Sequence, residues 1–226
     1  MKYKYILFDA DETLLDFRDC EEKALSALLR YAGGEGSDYE KSVYKRINAD
    51  WWKRFEQGLV TKPQLTVGRF ADTCRELGFD RDPNELSDYY IERLGEGDRL
   101  IDGALEVCRT LYGKCRMYII TNGIERVQMG RWSRVAIKDY FENIFISETI
   151  GYQKPRLEYF DYVIDFIGNP PKSEILVVGD SLTSDIRGGI GAGLDTCWVN
   201  PEGKPSGDIT PTYTIRSITE CPDIIL

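Results

Sequence analysis

Residues 5–15 read Tyr5-Ile6-Leu7-Phe8-Asp9-Ala10-Asp11-Glu12-Thr13-Leu14-Leu15, an apolar run that ends in two acids. A short apolar run bounded by polar residues predicts a strand buried on both faces. In an open parallel α/β sheet, ligands gather at the carboxyl ends of the strands, which is where this run delivers its carboxylates. If the chain stays extended past Phe8, Asp9 and Asp11 project to the same side and can act on one substrate. A solvated turn uses the same residue types, because Asp and Thr are ordinary turn and cap residues. The strand ends further along must therefore discriminate.

Outward from this strand the pattern turns helical for about 80 residues. Residues 19–31 place Ala24, Leu25, Leu28 and Leu29 on one face and stop at Gly33-Gly34, and residues 39–55 follow, ending near Gly58. Pro63 and Pro83 each sit where a first helical turn begins, opening helices that run to Gly78 and to the hinge-like Gly95-Glu96-Gly97. Beyond Gly103, helices alternate with apolar runs at 117–120, 144–146, 175–178 and 196–199. Residues 201–226 read as loop with an edge strand near 213–215. Such alternation predicts a Rossmann-like parallel sheet flanked by helices, in the α/β class. The expected division is a core of residues 1–15 and 98–226, interrupted by an all-helical cap over 16–97.

Composition narrows the chemistry. The 226 residues carry 29 basic against 38 acidic side chains, net −9, which argues against a nucleic-acid polymer or an anionic membrane as partner. No run of 18 apolar residues or signal-peptide pattern occurs, so a cytoplasmic location is expected. The six cysteines are scattered without a C-x-x-C pair and read as reduced thiols. There is no histidine, which excludes a Ser-His-Asp triad, a Cys-His pair and the usual zinc hydrolases. Any catalysis must run on carboxylates, Lys and Ser/Thr, with or without a hard metal ion.

The later strands each end in residues able to handle phosphate. The run at 117–120 leads into Thr121-Asn122-Gly123, which offers a hydroxyl and backbone N–H groups at a helix start; an ordinary N-cap would look the same. The next leads to Lys154-Pro155, where proline restricts the residue before it. The run at 175–178 ends in Gly179-Asp180, with Asp185 about one turn further on. Carboxylates from several strand ends cannot share a cavity ionised unless some take protons or a cation sits among them, and with oxygen-only ligands that cation is Mg²⁺. Gly188-Gly189-Ile190-Gly191-Ala192-Gly193 matches neither dinucleotide nor Walker A spacing and is read as close helix-to-sheet packing and a helix stop.

Taken in order, Asp9-x-Asp11-x-Thr13, Thr121-Asn122-Gly123, Lys154-Pro155 and Gly179-Asp180 with Asp185 resemble the haloacid dehalogenase-like hydrolase superfamily over essentially the whole chain. The insert after the first motif looks like that superfamily's C1-type cap. The resemblance implies that Asp9 attacks phosphorus and that Asp11 is the general acid and base. It implies that Thr121, the Asn122 backbone and Lys154 hold the phosphoryl oxygens. It further implies Mg²⁺ bound by Asp9, the Asp11 backbone carbonyl, Asp180 and Asp185, the last directly or through water. Dehalogenase members lack the second Asp, so Asp11 favours phosphate transfer.

A finer resemblance is to the noncanonical pyrimidine nucleotidase-like branch. It is carried by Leu14-Leu15-Asp16-Phe17, the cap stretch from Trp52 to Arg69-Phe70, Gln128 and Arg131 after Thr121-Asn122-Gly123, and Gly151-Tyr152-Gln153-Lys154-Pro155. Ala10 and Glu12 depart from the usual pattern. The expected substrate is a small phosphorylated metabolite, a nucleoside 5′-monophosphate first, handled by a monomer or small homo-oligomer. A phosphoglycolate-type or sugar phosphatase, a phosphomutase, a 2-haloacid dehalogenase and a non-catalytic binding protein stay as alternatives. In the cap, Trp51, Trp52, Phe55 and Phe70 have the spacing of packing residues, and could otherwise stack a base.

Overall fold

The apolar run at the N-terminus becomes β1 (Tyr5–Asp9), the central strand of a six-stranded, all-parallel sheet. The structure is a computed structural model that describes residues 2–226. After β1 come four helices: α1 (Phe17–Tyr31), α2 (Asp38–Glu56), α3 (Lys62–Leu77) and α4 (Pro83–Leu94). The α/β alternation then resumes with α5 (Ala104–Leu111), β2 (Arg116–Thr121), α6 (Glu125–Trp132), β3 (Asn143–Ile146), α7 (Ser147–Ile150) and α8 (Leu157–Phe166). β4 (Ile175–Gly179), a π-helical turn over Leu182–Ile186, α9 (Arg187–Gly191), β5 (Asp195–Val199), β6 (Tyr213–Ile215) and α10 (Cys221–Ile225) complete the chain. The edge strand lies where the sequence placed it, whereas the terminal α10 was missed. Five residues are too few for a helical period, and α10 is held by burial of Cys221 and Ile225.

Strand order is β3-β2-β1-β4-β5-β6. β1 connects onward to β2 on one side and its neighbour β4 to β5 on the other, so the connections from these two strands leave their carboxyl ends in opposite directions and open a crevice there. Asp9, the last residue of β1, stands at that crevice. Side chains alternate across the sheet: Ile6 and Phe8 pack with Met117, Ile119, Leu176 and Val178 under α5 and α10. Leu7 packs with Tyr118, Ile120, Ile175 and Val177 under α8. Both faces are covered, which accounts for strands read as unbroken apolar runs.

Local signals set the helix starts in the insert. Ser37 and Thr61 make capping boxes with Glu40 and Gln64, and Asp82 caps α4 ahead of Pro83. The four helices bury Leu25, Leu28, Tyr44, Phe70 and Tyr90 among themselves, and Ile124 and Val127, at the N-terminus of α6 and within its first turn, join that cluster. The two connections to the insert run side by side: Asp16 N–H donates to the Arg99 carbonyl (2.9 Å), and the Arg99 guanidinium meets the Asp16 carboxylate (3.2 Å). The cysteines are unpaired, and five of the six are buried. Among the described residues no helix is long and apolar enough to cross a membrane.

The glycine-rich segment packs as its spacing predicts. A side chain at Gly188 would collide with the Phe160 ring, and one at Gly189 would lie 2.7 Å from Thr196 Cγ2 and 3.1 Å from Val177 Cγ2. Gly193, at φ +73°, turns the chain out of α9. Gly189→Val should therefore overpack the α9–sheet contact and lower the unfolding free energy by about 1–3 kcal/mol in urea titration.

Candidate active site

The carboxyl ends of β1, β2 and β4 and the loop leading to α8 bring Asp9, Thr121, Asp180 and Lys154 to one pocket of about 410 Å³. Asp11, Asn122 and Asp185 also line it, so every site residue expected from sequence reaches the same cavity. Lys154 lines it and is 1% exposed. Its ammonium donates to Asp9 Oδ1 (2.7 Å), Asp185 Oδ1 (2.6 Å) and the Ile120 carbonyl (2.9 Å). Burial alone pulls the Lys154 ammonium down, but the Asp185 and Asp9 carboxylates outweigh it and hold its pKa above the ordinary lysine value.

Asn122 positions that lysine. Its carboxamide oxygen accepts from Lys154 N–H (2.9 Å) and its Nδ2 donates to the Lys154 carbonyl (2.8 Å), clamping the backbone on both sides. Thr121 is buried, its Oγ1 accepting from Gly123 N–H (3.0 Å) and its own N–H donating to the Tyr159 hydroxyl (3.1 Å). Tyr159 in turn donates to the Phe145 carbonyl, tying β2, β3 and α8 together behind the pocket.

Asp185 is fully buried, and its Oδ2 accepts from Ser181 N–H (3.1 Å). Its carboxylate occupies the space a side chain at Gly179 would need, which is why the strand ends in glycine. One oxygen each of Asp9, Asp180 and Asp185 lies within 4.8 Å of the others. Burial, with the Asp185 charge beside it, raises the Asp180 carboxyl to about 7; burial likewise raises Asp9, opposed by Lys154 and reinforced by the neighbouring acids. One ammonium does not neutralise three gathered carboxylates, and an all-oxygen donor set of this kind fits a small hard divalent cation.

Asp11 departs from the simple extended picture. The chain curls after it, with Glu12 in the left-handed region at φ +60° and the Leu14 and Leu15 N–H groups both bonding the Ala10 carbonyl. The Asp11 carboxylate is not among the three gathered acids; Gln128 Nε2 donates to its Oδ2 (2.6 Å) and Arg131 Nη1 to its Oδ1. Arg131 is 0% exposed and also donates through Nε to the Gly97 carbonyl (3.2 Å), where the insert rejoins the core. The sequence marked Gln128 and Arg131 only as part of a resembling run. Their i, i+3 spacing on the buried face of α6 was the available signal for a shared partner.

The insert brings Trp52, Glu56 and Arg69 to the wall, and further contacts outside the lining tie it to the core. Lys62 at the start of α3 is buried, lies 4.4 Å from the Trp52 and Phe55 ring centroids, and donates to the Asn122 carbonyl. Burial lowers its pKa to about 7. Glu56 accepts from Thr183 (3.2 Å), and Gln153 donates to the Phe55 carbonyl (3.5 Å). Of the four cap aromatics, Phe70 stacks on Tyr44, Phe55 is buried against Trp52, and the Trp51 indole bonds Asp72; Trp52 alone of the four lines the pocket.

Comparison with known proteins agrees with this geometry. A family model described as haloacid dehalogenase-like hydrolase matches residues 3–193. The HAD-hydrolase YfnB of Bacillus subtilis is 40% identical over 225 residues, covering 99% of this chain and 96% of YfnB. Its crystal structure, bound to magnesium, superposes with a TM-score of 0.94 over 100% of this chain and 99% of that one. Pyrimidine 5′-nucleotidase YjjG of Escherichia coli is 35% identical (100% and 99% covered), and pyrimidine 5′-nucleotidase PynA of Streptococcus pneumoniae is 34% identical (100% and 96% covered).

The raised Asp180 carboxyl sets a pH dependence. Folded, it binds its proton up to about pH 7, and unfolded only to about its ordinary value of 3.8. Its unfavourable charge therefore appears as pH rises from about 4 to about 7 and is fully present above. In metal-free protein, Asp180→Asn should raise the unfolding free energy at pH 8 by on the order of 1–2 kcal/mol, and the gain should fade to nothing below about pH 4 in urea titrations across pH.

Proposed function

The chain belongs to the haloacid dehalogenase-like hydrolase family, and on that footing we propose that it is a Mg²⁺-dependent phosphatase of nucleoside 5′-monophosphates, pyrimidine nucleotides foremost. The observation that carries this reading is the Lys154 ammonium bridging Asp9 and Asp185 at the mouth of β1, with Asp180 beside them. The full-length likeness to YjjG and PynA supports the substrate class.

In this reading an Asp9 oxygen attacks phosphorus, the P–O bond to the nucleoside breaks, and Asp11 delivers a proton to the departing 5′ oxygen. Asp11 then takes a proton from the water that attacks the aspartyl-phosphate, releasing inorganic phosphate and restoring Asp9. Gln128 and Arg131 keep the Asp11 carboxylate at the pocket wall. Lys154, the Thr121 hydroxyl and the Asn122 backbone receive the phosphoryl oxygens. Asp9, Asp180 and Asp185, with the Asp11 carbonyl, would hold Mg²⁺, which when bound offsets the charge of the carboxylates and the phosphoryl group. Residues 16–97 act as a cap that shuts this pocket from water and selects the leaving group, with Gly95-Glu96-Gly97 as its return hinge. The protein works in the cytoplasm as a monomer or small homo-oligomer.

The test is phosphate release across a panel of UMP, CMP, dTMP, AMP, sugar phosphates and phosphoglycolate. Pyrimidine monophosphates should rank first, and chelation with EDTA should abolish turnover until Mg²⁺ is restored. Asp9→Asn should lower kcat by about 10³-fold or more, and Asp11→Asn by about 10²- to 10⁴-fold. Full turnover by Asp9→Asn, or turnover indifferent to EDTA, would refute the reading.

A further inference from the structure

The pocket wall furthest in chemistry from the carboxylate cluster contains an arginine with unused donors. Arg69, on α3, lines the cavity and is 2% exposed. Its Nη1 donates to Asn48 Oδ1 (2.9 Å), but Nε and Nη2 are buried without any hydrogen-bond partner. Leaving two nitrogens of a buried guanidinium, with their three N–H groups, unpaired costs more than an ordinary hydrogen bond gains, so the arrangement is poised for an acceptor. Lys154 and Arg69 are the basic residues among those described that line this pocket, and Lys154 is assigned above to the phosphoryl group, which leaves Arg69 for the rest of the substrate.

Three features define the acceptor. Glu21 and Glu56 line the same cavity and disfavour a second anion there. The Nε–Nη2 edge of a guanidinium offers two parallel donors and no acceptor, which matches the two lone pairs of a carbonyl better than a sugar hydroxyl that must also donate. Trp52 and Phe17 bring aromatic side chains to the same pocket, the residue type that packs against a flat heterocycle. We propose that Arg69, held in place by Asn48, binds the C2 carbonyl of a pyrimidine base and thereby chooses the leaving group. Cytosine, uracil and thymine all carry this carbonyl, and adenine carries none. The proposal rests on the nucleotidase reading above and names the residue that would give it its selectivity.

The test compares kcat/KM for UMP, 2-thio-UMP and ribose 5-phosphate in the wild type and in Arg69→Gln. Replacing O2 by sulfur weakens the acceptor, so wild type should prefer UMP over 2-thio-UMP by about 10-fold or more, mainly through KM. In Arg69→Gln that preference should shrink to within about 2-fold, and the ratio of UMP to ribose 5-phosphate should fall about 10- to 100-fold. Equal losses on UMP and ribose 5-phosphate, or an unchanged sulfur penalty, would overturn the proposal. If Arg69→Gln does not fold, the wild type decides it unaided: equal handling of UMP and 2-thio-UMP refutes it. Wild type inactive on every nucleoside monophosphate would instead be the failure of the nucleotidase reading.

Discussion

A single buried ammonium organises this molecule. Lys154 holds Asp9 and Asp185 at 2.7 and 2.6 Å, and thereby joins the end of β1, the turn after β4 and the loop before α8. Bringing those carboxylates together without it would place uncompensated charge in a buried site, a larger cost than most single interactions in a domain can offset. The third bond of the ammonium, to the Ile120 carbonyl, fixes it against β2 as well. Much of the surrounding structure serves to keep Lys154 there: Asn122 clamps its backbone, and Tyr159 braces the end of β2. The negative charge that remains is what a divalent cation would complement.

A second constraint links the insert to the chemistry. Arg131 is wholly buried, yet its guanidinium reaches both the Asp11 carboxylate and the Gly97 carbonyl. The position of Asp11 is thus mechanically connected to the point where the four-helix insert returns to the core. At the opposite rim, Lys62, Glu56 and the Phe55 carbonyl touch Asn122, Thr183 and Gln153, so the insert seals the pocket through polar contacts rather than a continuous apolar seam. Polar contacts of this kind exchange readily with water. The apolar part of the contact, Ile124 and Val127 packed into the insert's core, lies near the return connection and keeps that side together.

Most of the fold was legible because its elements advertise themselves locally. The apolar runs, Pro63 and Pro83 at helix starts, and the stops at Gly78 and Gly193 are short-range signals that survive in any context. The curl after Asp11, with Glu12 at φ +60°, and the terminal α10 went unseen. Both are matters of where tertiary packing holds or releases a turn, which periodicity does not register.

What the chain determined by itself was the set of residue types: no histidine, acids at strand ends and a Lys-Pro pair between the second and fourth of them, which together lead to the expectation of carboxylate and cation chemistry on an α/β sheet. Those properties belong to residue types and to their spacing along short segments. Which groups partner which was decided only in three dimensions. Asp11 turns toward Arg131 and Gln128, 120 and 117 positions away, while Asp9 and Asp185 close on Lys154, and Arg69 is left with donors unpaired. Those pairings depend on how loops from separate strands converge at the crevice beside β1, and long-range convergence leaves no periodic trace in the sequence.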